Sequence, residues 1–133
     1  MSIKNNLFIW LPALAWAGVI FLFSSRPAVT ASTIDWQDFF IKKSAHFIEY
    51  LILALLVYRA IRLTSGLSPS RTFFLTLFVC MLYAVSDEWH QSFIPGRGPH
   101  VRDILIDTFG AGVSAWIFGF RKVKFPLFKN LLG

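Results

Sequence analysis

The residues best suited to chemistry in this sequence lie together at the end of one apolar segment. The stretch 83–97 follows an almost uncharged run and contains two acids, a histidine, an amide and an arginine, namely Asp87, Glu88, His90, Gln91 and Arg97. A histidine beside carboxylates suits general acid/base catalysis, and a guanidinium offers paired N–H donors to a phosphate or carboxylate. The stretch therefore indicates proton transfer close to a bound anion.

Three segments carry polar residues at helical spacing, in which positions i, i+3 or i+4, and i+7 share a face. The spacing relates Tyr83, Asp87 and His90 in one segment, Lys43, His46 and Tyr50 (with Glu49 adjacent) in an earlier one, and Asp103, Asp107 and Gly110 in a later one. Polar groups in apolar surroundings are costly unless they meet partners. We therefore expect one shared cavity that contains His46, Asp87, His90 and Asp103, with Glu49 and Asp107 at its wall.

Residue type divides the candidates for this cavity into two groups. The catalytic candidates are His46, Glu49, Asp87, Glu88 and His90. The substrate-binding candidates are Lys43, Tyr50, Tyr83, Gln91, Arg97, Arg102, Asp103 and Asp107. The two tyrosines are expected to orient the acids by hydrogen bonds rather than to react.

A metal site is the alternative use of the same histidines and acids, which could hold a divalent cation. The sequence contains neither a His-Glu-x-x-His motif nor paired cysteines, and Cys80 is its lone cysteine. No cofactor is therefore assigned. The simplest catalytic interpretation is an acid/base site without a metal, in which Arg97, Arg102 and Lys43 hold an anionic head group.

Each motif also has a purely structural interpretation. His46 and Glu49, one helical turn apart, could stitch helices together in lipid, where such hydrogen bonds contribute about 0.6 to 2 kcal/mol. Arg97 could be a turn residue that pairs with Glu88 or Asp103, or an anion clamp. Residue types alone leave these alternatives open.

Composition indicates that a membrane holds these segments. The 133 residues give room for one domain, 1–133, yet 56% are hydrophobic and only 15% are charged. The net charge of +6 is not arranged along one face, as a nucleic-acid surface requires, because the basic residues cluster at segment ends. Membrane lipids are therefore the expected partner, and nucleic acid is not.

The apolar runs predict an all-α membrane protein with a bundle of four transmembrane helices. The spans are 7–23, 39–58, 72–91 and 101–120. Small residues in the fourth, such as Gly110 and Gly112, indicate that it packs centrally. For the first span a cleavable signal peptide is the alternative, because residues 29–31 include small side chains at a suitable spacing.

Charge asymmetry predicts the orientation of the spans. One side of the bundle carries basic residues and no acid: Lys4, Arg59, Arg62, Arg71, Arg121, Lys122, Lys124 and Lys129. The other side carries all seven acids. The positive-inside rule therefore places both termini in the cytoplasm and the polar cavity on the extracytoplasmic side.

Three pieces of the sequence resemble the motifs of the VanZ-like family, in the same order. They are Lys43-Ser-Ala-His46-Phe-Ile-Glu49-Tyr50, the stretch from Tyr83 to Arg97, and Asp103-Ile-Leu-Ile-Asp107-Thr-Phe-Gly110. Phe23-Ser24-Ser25 resembles that family's corresponding stretch too. The resemblance implies a small multi-pass protein of the bacterial cytoplasmic membrane, from a family whose founding member is associated with teicoplanin resistance.

Two functions are compatible with these features. In the first, the protein acts on a lipid-linked or anionic cell-envelope component at an outward-facing polar site and is linked to glycopeptide resistance. In the alternative, the same polar cluster binds an envelope ligand or partner, such as a lipid-linked precursor or the glycopeptide, without catalysis. A pump or channel is disfavoured, because the inner halves of the spans lack charges and offer no path across the membrane.

Overall fold

The described chain folds into four α-helices. The computed structural model describes residues 3–28 and 33–120, and these residues contain no strand. The helices are α1 (Ile3–Ser24), α2 (Asp35–Ser65), α3 (Pro69–Gln91) and α4 (Val101–Phe120). The predicted all-helical bundle is confirmed. Residues 29–31 and the basic residues from Arg121 onward, on which two of the predictions depend, lie outside the described residues.

Three of these helices are long and apolar enough to cross a membrane: α1 over Asn6–Ser24, α3 and α4. Helix α2 differs, because it is longer than the predicted span 39–58 at both ends and carries seven charged residues. It packs against each of the other three helices. Its neighbours therefore cover much of a helix that is too polar to face lipid on all sides.

The two halves of α2 have different structural roles. The second half buries Tyr50, Leu53, Ala54, Val57 and Ile61 in the core of the bundle. The first half carries most of the ionisable residues of the helix and lies where the bundle opens. A single helix thus anchors the fold and supplies the polar site.

A tight connection fixes α3 against α2. Gly66 ends α2 with φ 62, the left-handed conformation that favours glycine at a helix C-terminus. Ser68 then caps α3 by accepting a hydrogen bond from the Arg71 N–H (3.4 Å), and Pro69 occupies the first helical turn. These residues form a tight turn and make α2 and α3 antiparallel neighbours.

Helices α2 and α4 approach most closely at Gly110. A Cβ atom at this position would lie 2.6 Å from the Phe47 carbonyl oxygen, which is closer than van der Waals contact permits. Ala111, Ser114 and Ala115 continue the same buried face of α4. The small residues allow the close contact of α4 with α2, but among the described helices α4 packs only against α2 and α3, so the central position predicted for it belongs to α2.

Aromatic side chains fasten α1 to the rest of the bundle. Trp16 Nε1 donates to the Glu49 carbonyl oxygen (2.9 Å), and the Tyr83 hydroxyl donates to the Ala17 carbonyl oxygen (2.5 Å). Both bonds are made at mid-helix, where no water competes for them if the bundle lies in lipid. They fix the position of α1 along the bundle axis, and therefore the position of the polar residues at its C-terminal end.

Candidate functional site

A polar cavity of about 520 Å³ opens at one end of the bundle. The end of α1, the first half of α2, the connection between α3 and α4, and the start of α4 form its wall. Its ionisable lining residues are Arg26, Asp35, Asp38, Lys42, Lys43, His46, Glu49, Arg97, His100, Arg102 and Asp103. Both signs of charge therefore line one concave surface, and the ion pairs within it decide which charges remain available.

Two of the cations in the cavity are matched by acids. Lys43 Nζ lies 2.6 Å from Asp103 Oδ1 and joins α2 to α4, and Lys42 Nζ lies 2.6 Å from Asp38 Oδ2 within α2. Arg102 Nε is 3.9 Å from the same Asp103 oxygen. These side chains hold the wall together and contribute little net charge.

Arg97 differs from these cations, because neutral acceptors and not an acid hold its side chain. Its Nε donates to the Arg26 carbonyl oxygen (2.9 Å), Nη1 to Gln91 Oε1 (3.2 Å) and Nη2 to the Phe23 carbonyl oxygen (3.4 Å). All three acceptors are uncharged, and within the described residues no carboxylate lies within ion-pair distance of Arg97. A guanidinium has five N–H groups, so two remain for a ligand. The side chain is held in place while its charge is not neutralised.

The backbone that presents Arg97 is a turn encoded by Pro95 and Gly96. The Arg97 N–H donates to the Ile94 carbonyl oxygen (3.1 Å), and Gly96 has φ 77. Proline followed by glycine at positive φ is the sequence of a type II turn. Of the two sequence interpretations of Arg97, pairing with Glu88 or Asp103 is not observed.

A buried network connects Arg97 to α3. Asp87, only 3% exposed, accepts hydrogen bonds at Oδ2 from Ser24 Oγ (2.9 Å) and Gln91 Nε2 (2.9 Å). Since the Gln91 amide nitrogen faces Asp87, its oxygen faces Arg97. Asp87 therefore orients the amide that helps to hold Arg97, without lining the cavity itself.

On the opposite wall, a histidine of α2 contacts an acid of α4. His46 Nδ1 lies 3.4 Å from Asp107 Oδ1, and the Asp107 side chain is fully buried. The His46 side chain lines the cavity, while Nδ1 is enclosed and, like both Asp107 oxygens, makes no hydrogen bond within the described residues. Glu49, one turn along α2, lines the same wall. A histidine beside a carboxylate on a cavity wall can accept or donate a proton.

The comparison with protein families agrees with these motifs. A family model described as VanZ/LLP1 matches residues 8–122, which include all four helices except residues 3–7 at the start of α1. The chain belongs to the VanZ/LLP1 family. No curated protein matches the chain, and no solved structure does.

The structure places several predicted site residues of this VanZ/LLP1 chain outside the cavity lining. His90 stacks on Phe21 with ring centroids 4.5 Å apart. Glu88 is buried and accepts a hydrogen bond from the His100 N–H (2.9 Å), so it fixes the start of α4. Of the four residues expected to share the cavity, His46 and Asp103 line it, whereas Asp87 and His90 do not.

The two tyrosines also differ from expectation. Tyr83 donates to a backbone carbonyl of α1, and the fully buried Tyr50 hydroxyl has no hydrogen-bond partner within the described chain. Neither orients an acid. Their rings lie 6.1 Å apart and belong to the packing between α2 and α3.

Several residues that line the cavity were missed by the sequence analysis: Ser24, Arg26, Asp35, Asp38 and His100. Ser24 belongs to the family-like stretch 23–25, and the others lie at or beyond the ends of predicted spans. Their common signal is position, because each lies at the same end of the bundle as the polar motifs. Among the described residues, no group of three or more His, Cys, Asp or Glu side chains is arranged to hold a metal ion.

Proposed function

We propose that this VanZ/LLP1-family protein crosses the bacterial cytoplasmic membrane several times and uses its outward-facing polar cavity to bind an anionic group of a cell-envelope component. The component is lipid-linked, and the role is linked to resistance against teicoplanin-type glycopeptides, as the resemblance to VanZ-like proteins implies. The cavity binds the charged group, and the surrounding membrane supplies the ligand.

The state of Arg97 is the observation that supports this proposal. Arg97 lines the cavity, its guanidinium is fixed by three neutral acceptors, and two of its N–H groups have no partner among residues 3–28 and 33–120. A cation held in this way loses little conformational entropy when an anion binds. Arg26 is another cation of the cavity lining, stacked over Phe23 at 5.6 Å. Phosphate and carboxylate are the anions that match a guanidinium fork.

The outward orientation rests on charge. The end of the bundle opposite the cavity carries Arg59, Arg62 and Arg71 without an acid. The cavity end carries every acid of the chain. The positive-inside rule favours the first end in the cytoplasm.

Reporter fusions test this orientation. A reporter that is active only in the cytoplasm is expected to give signal when fused after Gly133 or inserted within 64–70, and none when inserted near Ser32. Signal near Ser32 would place the cavity on the cytoplasmic side and contradict an envelope ligand.

Replacing Arg97 with glutamine tests the binding site. Lipid binding is measured by native mass spectrometry in a non-ionic detergent, with dioleoylphosphatidate as anionic probe and dioleoylphosphatidylcholine as zwitterionic comparison. Loss of a hydrogen bond to a charged group costs about 1.5 to 3 kcal/mol, so we expect the preference for phosphatidate to fall by about tenfold or more. The thermal midpoint should change little, because two of the three hydrogen bonds of Arg97 are exposed and water can replace them.

The matched control is Arg71→Gln, the same substitution at an exposed site at the other end of the bundle. It should leave the lipid preference unchanged. In a host that this protein makes resistant to teicoplanin, only Arg97→Gln should restore susceptibility at equal protein level. An Arg97→Gln protein with wild-type lipid preference would remove Arg97 from the site.

The contact between His46 and Asp107 favours the catalytic form of the proposal over the non-catalytic one. A histidine that only joined two helices would have no need to line the cavity, whereas the base of an acid/base enzyme must reach its substrate. The mass of the lipid recovered after incubation with native membrane extract distinguishes the catalytic from the non-catalytic proposal. A binder returns its lipids with unchanged mass, whereas an enzyme returns a product that the His46→Gln protein does not form.

A further inference from the structure

A shallow apolar groove of about 470 Å³ lies on the outer surface of α2 and α4. Its lining residues are Lys43, Ser44, Phe47, Ile48 and Ile106. Ser44 and Ile48 are exposed, the latter by 54%, so the groove opens away from the bundle. In a membrane it opens onto lipid.

Lys43 borders both this groove and the polar cavity. Its Nζ reaches across from α2 to Asp103 on α4 (2.6 Å), so the side chain lies on the boundary between the two spaces. A lysine stem can border hydrocarbon while its ammonium group remains in polar surroundings. The cavity and the groove are therefore adjacent parts of one surface, polar on one side of Lys43 and apolar on the other.

We propose that the groove holds a hydrocarbon chain of the same lipid whose anionic head group occupies the polar cavity. The inference rests on the proposed function and adds the class of the ligand, a long-chain lipid with a phosphate ester or comparable anion at its head. The head group passes Lys43 to reach Arg97, and the chain lies against Phe47, Ile48 and Ile106.

The spacing of the groove residues along α2 supports a lipid chain that runs from the head group into the membrane. Lys43 and Ile48 are five positions apart, which is about 7.5 Å along the helix axis. On the outer surface, the groove therefore runs from the polar end of α2 towards the middle of that helix, as a lipid chain runs from its head group into the membrane. A soluble anion could fill the cavity but would leave the groove unused.

The test compares a whole lipid with its head group. Dioleoylphosphatidate is the lipid probe, measured by native mass spectrometry of the full-length protein in non-ionic detergent. Glycerol 3-phosphate is the head-group probe, measured by isothermal titration calorimetry up to millimolar concentration. Ser44→Phe fills the groove, and Ser86→Phe makes the same change at an exposed site on α3.

We expect Ser44→Phe to weaken phosphatidate binding at least tenfold and to leave glycerol 3-phosphate binding as in the wild type. Ser86→Phe should alter neither. Ile48→Gln, which makes the groove polar without filling it, should weaken only the lipid and serves if Ser44→Phe does not fold. A wild type that binds only the lipid also supports a contribution of the chain, provided that Ser44→Phe weakens it.

Two results would separate the inference from the function on which it rests. If Arg97→Gln lowers phosphatidate binding but neither groove substitution does, the cavity binds anions and the groove proposal is wrong. If the wild type binds neither phosphatidate nor glycerol 3-phosphate, the proposed function fails, and the groove proposal fails with it.

Discussion

Replacing Gly110 with alanine is expected to destabilise the bundle markedly, whereas replacing Gly112 is not. The added Cβ at Gly110 would lie 2.6 Å from the Phe47 carbonyl oxygen, a backbone atom that can move only if α2 moves. Overpacking of this kind costs about 1 to 3 kcal/mol. The gain in helix propensity from glycine to alanine, about 1 kcal/mol, offsets only part of that cost.

Gly112→Ala is the matched control on the same helix. Its Cβ would meet Leu77 Cδ1 at 3.6 Å, an ordinary contact with a side chain. Thermal unfolding in detergent, followed by circular dichroism, should therefore show a lower midpoint for Gly110→Ala and an unchanged or higher one for Gly112→Ala. Equal midpoints would mean that α2 and α4 do not approach as closely as described.

Replacing Asp87 with leucine is expected to impair anion binding nearly as much as removing Arg97, although Asp87 does not line the cavity. Leucine leaves Ser24 and the Gln91 amide without their shared acceptor, and both are buried. Each orphaned polar group costs about 1 to 3 kcal/mol. The Gln91 amide nitrogen then keeps only its 3.3 Å hydrogen bond to Ser24 Oγ, so the amide is held less firmly and Arg97 has a less well oriented acceptor.

Asp87→Asn is the conservative comparison, because its single carboxamide oxygen can still accept from both neighbours. Phosphatidate binding at a temperature where all variants are folded should fall about tenfold for Asp87→Leu and by much less for Asp87→Asn. If the network only joins helices, both variants will bind the lipid normally per folded molecule, and only their thermal midpoints will differ.

Much of the fold follows from local sequence. The uncharged runs predict α1, α3 and α4, Ser65-Gly66 and Ser68-Pro69 predict the turn between α2 and α3, and Pro95-Gly96 ends α3. These signals act within a few residues, through backbone preference and hydrophobicity, and need no tertiary information. The full length of α2 does not follow in the same way, because its charged ends look like connecting segments until other helices cover them.

The candidate site is predictable in part for the same reason. Spacing within α2 correctly grouped Lys43 and His46, and spacing within α4 grouped Asp103 with Asp107. The expected common face of Tyr83, Asp87 and His90 is present, but it packs against α1 instead of lining the cavity. Tyr83 donates to the Ala17 carbonyl oxygen, Asp87 accepts from Ser24, and His90 stacks on Phe21.

The sequence by itself determined that this chain is a bundle of apolar helices with its acids, histidines and Arg97 at one end. Only the tertiary structure decided which of them meet: His46 with Asp107, Lys43 with Asp103, and Arg97 with neutral acceptors instead of an acid. The physical reason is that helical spacing fixes the angle between side chains of one helix, but not the rotation of that helix against its neighbours. That rotation is set by packing, above all where Gly110 lets α4 touch the backbone of α2.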